Sequence, residues 1–505
     1  MPSVVSGVLG IIKAIGVAAG ATTTIGAYVA GSIIIASGVT SLATAMRAMK
    51  ALDGAYATSD SSRGVTSKGT VEALKIVYGE AVVSGPISFV GVAGTNNQDL
   101  YHAISLCGHV SEEISDIYFD NEVISSSDIN GSGYVTGGPL FGPTSGTNYV
   151  TKIVKYLGTQ GATGGDPDLV ANFTDYTTAH AGQGITYIMT RFSLTDEAAE
   201  LWDKYQPQNI RAKVKGRKVY DPRADGTQTG LSPAGSGSQR LDDESTWTWS
   251  ANPSLCVADY LTNTDFGVGI GSAKIDWQSV VTAANTCDED VAITSTPTYE
   301  DRFTCNGALF ATDSHRVNLN RLLSSMAGNL VYSNGVFYIK ASQYEAPTET
   351  LTDDDLVAPI AVKTSLERTD RYNTVNGTFV NPAENHKLAE FPKIQLTAEL
   401  ARDNGEELIR EIQLPFTNTS TAAQRIARGL ILETNSQKTI EFPCNLRGMR
   451  IMPGDRVQVS IGDFSWTNKV FRCLSWRFTD GGDRVGVTLT PVSYTHLTLP
   501  TILLV

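Results

Sequence analysis

From Ala14 to Met46 the chain carries no charged side chain. This stretch is longer than the roughly 20 apolar residues that span a bilayer, so it has to be covered by protein or by lipid. Five glycines and many Ala, Ser and Thr residues lower its hydrophobicity, and Gly16-Val-Ala-Ala-Gly20 has the spacing of small residues that lets helices approach closely. The pattern predicts an apolar Gly/Ala-rich helical segment within residues 1–50. Two readings stay open for it: a helical hairpin buried against other subunits, or a segment that enters a membrane, with Ile33, Ile34 and Ile35 as the membrane-contacting residues. A cleaved secretory signal is not expected, because no basic region precedes the run and the run far exceeds the usual length of roughly 7–15 residues.

The remainder is of a different character. Lys13, Arg47 and Lys50 are the only charges in the first fifty residues, whereas the whole chain carries −13 with a pI near 5.0. An acidic chain of this kind argues against sequence-specific nucleic-acid binding, which relies on cations against phosphates. Six cysteines without a CxxC pair signal neither a dense disulfide framework nor a zinc site, and are expected as reduced core thiols. A length of 505 residues exceeds what one core serves, so three to five domains of about 100–200 residues are expected.

Strand patterns dominate after residue 70. Val71 to Ile76, Val77 to Gly85 and Pro86 to Gly94 alternate apolar and polar positions, and Ile117-Tyr-Phe119, Asp120-Asn121, Glu122-Val-Ile124 reads as a hairpin. Residues 125–165 are rich in Gly, Ser and Thr and are expected as a long surface loop. Strands follow at Ile185–Phe192 and Ile210–Tyr220, with a short helix opening at Ser193-Leu-Thr-Asp196. Asn252-Pro253 is a helix start, Ser314 to Ala327 is a second helix with Gly328 as its cap, and Asn334-Gly335 is a type I′ hairpin turn. The expected divisions are 60–148 (β-rich), 149–245 (α+β), 246–345 (α+β with the Asn-Gly hairpin) and 346–492 (β with one helix near 422–432).

Catalytic signatures are missing: the chain contains no HExxH, G-x-S-x-G, GxxxxGK[ST] or EF-hand loop. Gly267-Val-Gly-Ile-Gly271 lacks dinucleotide-loop spacing and is read as a turn. His102, Cys107 and His109 offer too few donors for a metal site, and Asp353-Asp-Asp355 reads as a solvated turn. Arg211, Lys213, Lys215 and Arg217 alternate along a strand and form a basic ladder, expected to be solvated or to face a subunit rather than to grip phosphates. No catalytic, cofactor-binding or metal residue is assigned.

One series of motifs adds a resemblance. Lys218-Val-Tyr-Asp-Pro-Arg223, Trp249-Ser-Ala-Asn-Pro253, Asp259-Tyr-Leu-Thr-Asn263, Phe266-Gly-Val-Gly-Ile270, Ile275-Asp-Trp277 and Ala284-Asn-Thr-Cys-Asp288 come first. Phe303-Thr-Cys-Asn-Gly307, Asn320 to Gly328, Arg371 to Val380, Leu414-Pro-Phe416, Ala423-Gln-Arg-Ile-Ala427 and Pro453-Gly-Asp455 follow in order. Over most of residues 60–492 the series resembles the central tail hub, or tip attachment protein J family, of lambda-type long-tailed bacteriophages. The resemblance implies a multidomain, mainly β fold with α+β insertions and tail-tube-like β-domains. It implies a homotrimer at the virion tail tip, or baseplate, assembled in the host cytoplasm. There it would meet other tail-tip proteins, the tail tube and the tape-measure protein, and act in host attachment and DNA ejection. It brings no family active site and no cofactor.

Ser493-Tyr-Thr-His-Leu-Thr-Leu-Pro-Thr501 and the apolar end to Val505 look like translated adaptor read-through, so 493–505 is expected to be non-native. Further domains, including the end that contacts the host envelope, are then expected beyond Val492. Two other function classes stay open at this point. A tail-associated cell-wall hydrolase needs positioned acid, base or nucleophile groups, and a membrane-inserting channel needs residues 14–46 exposed to the host membrane.

Overall fold

The computed structural model describes residues 32–35 and 73–492, apart from 138–140, 144–147, 196, 197, 199–208, 294–297, 344, 364–370, 435–438 and 480–482. The helix expected after Ser193 and the tail 493–505 lie outside the described residues, as does the apolar segment except for Ser32–Ile35.

Two four-stranded sheets form a sandwich. One has the order Ile87–Ala93, Asp99–Cys107, Thr186–Ser193, Thr151–Tyr156, and the other Glu80–Val83, Ile210–Lys215, Glu113–Phe119, Glu122–Ile124. Alternation along the strands aims Ile104, Leu106, Ile153, Ile188 and Phe192 of the first sheet at Val83, Ile117, Phe119, Ala212 and Val214 of the second, in one core. Strands from either side of residue 148 share both sheets. The outer face of the first sheet is covered by Pro167–Asn172 with Phe173 and Tyr176. Thr151–Tyr156 falls within the expected loop 125–165. Its apolar positions are few, and it is held by full pairing with Thr186–Ser193.

A helical body follows. Helices Pro253–Thr262, Trp277–Cys287 and His315–Ser324 pack with the hairpin Asn329–Ser333/Val336–Lys340 around Leu255, Leu261, Val280, Leu319, Leu323 and Ile339. The Asn252 side chain accepts from Ser254 N–H and Ser314 from Val317 N–H, as their cap positions require. Asn334 and Gly335 have φ of 52° and 85°, the type I′ turn. The left-handed residue after His315–Ser324 is Ala327, with φ 45°, and not Gly328. Gly328 is required for space instead, since a Cβ there would lie 2.8 Å from the Lys340 carbonyl oxygen.

The same core takes in the sheet around Thr374–Asn381 and the helix Ser420–Thr434, through Val375, Phe379, Leu414, Ile426 and Leu430. A six-stranded sheet forms the last body, in the order Glu349–Thr352, Arg456–Ile461, Trp466–Thr479, Arg484–Pro491, Thr439–Cys444, Ala361–Lys363. Its core is Leu351, Phe442, Val457, Val459, Phe471, Val487 and their neighbours. Chain 372–434 therefore returns to the helical body between two visits to this sheet.

The expected helical character of the N-terminal segment is corrected where it can be seen. Ser32–Ile35 is a strand, running parallel to Asn329–Tyr332 at the edge of the hairpin sheet. Three consecutive isoleucines are stiff at χ1 and favour extended backbone, and the hairpin edge offers their backbone groups partners. No helix among the described residues is long and apolar enough to cross a membrane.

Candidate functional site: a buried clasp and the exposed assembly surfaces

The strand Lys75–Tyr78 pairs antiparallel with Gly307–Phe310, and this two-stranded ribbon is shared between two cores. Ile76, Tyr78 and Leu309 face the helical body, while Val77 and Ala308 face the sandwich. The chain then turns at Gly79, with φ 62°, where a Cβ would stand 1.9 Å from the Cys305 carbonyl oxygen.

Polar groups pin the ribbon. Tyr78 donates its hydroxyl to Asp259 Oδ2 at 2.5 Å, and Arg217 Nε donates to both Asp259 oxygens at 3.0 and 3.2 Å. Arg217 also reaches Glu244 at 2.9 Å and lies between the rings of Trp247 and Phe266, 5.8 and 5.4 Å from their centroids. Burial pushes the Arg217 guanidinium down, but Asp259, Tyr78 and Glu244 together outweigh it and hold the group above its ordinary value. His109 Nε2 accepts from Val77 N–H at 2.9 Å, so its Nδ1 carries the proton and donates to the Val110 carbonyl, also at 2.9 Å. Burial pushes the His109 pKa down to about 4, keeping the ring neutral.

This geometry explains the residues singled out in the sequence. The two lysines of the basic ladder are paired with carboxylates of neighbouring strands. Lys213 pairs with Glu80 at 3.1 Å, Lys215 with Glu113 at 2.8 Å, and Arg211 donates to the Asp120 carbonyl beneath Tyr118. Arg217 leaves the ladder altogether and enters the clasp. His109 uses both ring nitrogens, and no group of His, Cys, Asp or Glu able to hold a metal occurs among the described residues. All six cysteines are buried and free, and burial raises Cys107 to about 12 and Cys444 to about 11, leaving inert thiols. Asp355 is not solvated as expected. It accepts from Thr352 N–H and from Asn445 Nδ2, joining the turn to the residue that follows the strand Thr439–Cys444. Ile33, Ile34 and Ile35 have their backbone engaged by Leu330, Val331 and Tyr332.

Sequence reasoning did not find the clasp: Arg217 stands in the basic ladder and Asp259 opens one of the hub-like motifs, but the two lie far apart in the chain from each other and from Tyr78, and no local pattern joins them. Exposed apolar side chains remain on the surface: Val90 and Val92 on the edge strand Ile87–Ala93, Tyr299, Val357, Leu446, Met449 and Phe478.

Residues 314–473 match the family model described as putative phage tail protein. The match runs from the helix His315–Ser324 through the Asn334-Gly335 hairpin to Cys473 in the six-stranded sheet. A chain of the virion of a native gene transfer agent particle has the same fold, with a TM-score of 0.57 at 14% identity, over 91% of this chain and 98% of that one. The 43 kDa tail protein of prophage MuSo2 from Shewanella oneidensis is 12% identical over 85% of this chain and all of its own, with a TM-score of 0.30. The prophage tail protein gp18 from Listeria monocytogenes EGD-e is 11% identical over 81% of this chain and 89% of its own, with a TM-score of 0.24. Those two scores are too low to carry an argument about fold.

Proposed function

We propose that the chain is a structural, non-enzymatic subunit of a phage tail, and within the tail the hub at its tip. There it caps or continues the tube, anchors tail assembly, and takes part in host attachment and DNA delivery. The observation that carries this reading is the fold shared with a virion chain along almost the whole length, together with the tail-protein match over 314–473. The ordered series of hub-like motifs supports the finer placement, as does the way the ionisable residues are used up in joints between bodies. A homotrimer in contact with the tail tube, the tape-measure protein and other tip proteins belongs to the same proposal.

Antibody labelling of intact virions tests it. Label at the end of the tail distal to the capsid is expected, and the full chain mixed with tube subunits is expected to bind tube ends. Label elsewhere on the particle, or no binding to tubes, would sink the hub reading. For Ile33, Ile34 and Ile35 to meet a host membrane, their strand must first leave Asn329–Tyr332. Liposome binding by the full chain that disappears in Ile34→Asp is the expected sign, and no liposome binding by the wild type rejects that role.

A further inference from the structure

The sheet around Thr374–Asn381 has one buried face and one open face. Val375 and Phe379 of its central strand, Ala389 of the strand Lys387–Glu390, and Ile412 and Leu414 of the strand Ile409–Leu414 all pack into the helical core. Alternation turns the intervening residues the other way. On that outer face, Leu388 and Glu390 stand beside Val380 and Thr378. Ile409, Glu411 and Gln413 stand beside Thr374, Asn376 and Thr378. Leu388 and Ile409 are 45% and 56% exposed, and Glu390, Glu411 and Gln413 are exposed as well.

The outer face is a trough. Its floor is made of the short side chains of Asn376 and Thr378, and its walls of the longer Glu390 on one flank and Glu411 and Gln413 on the other. Strands about 4.8 Å apart with a rise of about 3.3 Å per residue place Glu390 and Glu411 roughly 12 Å apart at the backbone, across the central strand. An apolar side chain marks each end. Leu388 is level with Val380 and Ile409 with Thr374, which puts roughly 20 Å of strand between them.

The polar groups of this face lack partners. Glu407, near the Thr374 end, accepts from Gln395 Nε2 at 2.8 Å and pairs with Lys393 at 3.1 Å. By contrast, among the described residues no ion pair or side-chain hydrogen bond engages Glu390 or Glu411. In the floor between them, Asn376 Oδ1 and Thr378 Oγ1 are enclosed without a hydrogen-bond partner. Enclosed polar atoms destabilise a surface until a partner reaches them. All four groups can accept and two are anionic, so the complementary group donates only and carries positive charge. A guanidinium or an ammonium has that chemistry.

The same face of a second copy does not supply it, since a two-fold contact would set acids against acids. The chain as a whole carries −13, so charge complementarity favours a different protein as the source of the cation. Leu388 and Ile409 suit apolar side chains on either side of that cation.

We propose that the outer face of this sheet receives a basic segment of another tail protein, its lysine or arginine held between Glu390 and Glu411 and its flanking apolar side chains seated on Leu388 and Ile409. This names a partner chemistry for the structural tail subunit and rests on that reading.

Carboxylate labelling with glycine ethyl ester and a carbodiimide, read by peptide mass spectrometry, tests it on the isolated full chain and on intact virions. Glu390 and Glu411 are expected to label readily in the isolated chain and severalfold less in virions, with high salt restoring the labelling. Carbodiimide alone is expected to join them to another tail protein where the partner's cation is a lysine. Glu390→Lys/Glu411→Lys alters two exposed positions, so thermal unfolding of the full chain is expected to stay unchanged while particles carrying the variant lose that protein.

Equal labelling in the isolated chain and in virions, or variant particles with the full set of tail proteins, would overturn the proposal. So would protection already present in the isolated chain, which would place the occupant within the chain itself, or a cross-link to a second copy. Virions that do not contain the chain would instead reject the tail reading.

Discussion

The joint between the sandwich and the helical body differs in kind from the joint between the helical body and the six-stranded sheet. The first is an apolar ribbon buried on both faces and locked by Arg217, Asp259 and Tyr78 inside it. The second is mainly polar: Lys340 Nζ meets Asp455 at 2.6 Å and Glu345 at 3.2 Å, and Arg456 donates to the Gln343 carbonyl at 3.0 Å. Among the described residues, Leu474 crosses to the helical core there, turned out of its own sheet's core by the bulge between Cys473 and Ser475. Shared apolar burial couples two bodies into one cooperative unit, whereas a polar joint lets its partners open separately. The sandwich and helical body should therefore unfold together, and the six-stranded sheet on its own.

The largest effect is expected from Asp259→Ala. It leaves the Arg217 cation buried without its main partner, a loss of about 3–5 kcal/mol. In calorimetry the transition shared by the sandwich and helical body should drop while that of the six-stranded sheet stays in place. If both fall together, the contrast between the joints is wrong.

Acid should act on the same joint. His109 titrates at about 4 in the folded chain against 6.5 in the unfolded one. Above pH 6.5 both states leave it neutral and nothing changes. As pH falls from about 6.5 to 4 the unfolded state binds the proton first, so stability drops, by up to about 3 kcal/mol, and levels off below 4. Exchange of the Val77 amide, which His109 accepts, should accelerate over that window in the wild type. In His109→Gln, whose side-chain oxygen still accepts, the pH dependence should vanish. A more modest change is expected at the second joint. Lys340→Ala should lower only the transition of the six-stranded sheet, by about 1–3 kcal/mol, because Asp455 keeps the Met452 N–H as a partner.

What was legible in the sequence follows the range of the forces involved. Asn252-Pro253, Ser314 and Asn334-Gly335 announce local geometry through their own backbone preferences, and each appears where its chemistry puts it. The mainly β character is readable because alternation is a property of neighbours in the chain. The clasp is not, for Arg217 and Asp259 meet only after two bodies have packed. Nor was the extended state of Ser32–Ile35 read, since absence of charge predicts burial but does not choose between helix and strand. There the three β-branched residues were the better signal.

The smallest effect belongs to the ladder that the sequence made most visible. Lys213 and Arg217 have the same spacing and the same charge, yet Lys213 pairs with Glu80 at a half-exposed site while Arg217 is enclosed. Lys213→Ala should therefore cost less than about 1 kcal/mol, and less still at high salt, since exposed pairs are weak and screened. The same substitution should leave binding to duplex DNA unchanged and weak, because the cation is already matched within its sheet. A clear loss of DNA binding in Lys213→Ala would mean that the ladder faces phosphate after all, and that its pairing with Glu80 yields to it.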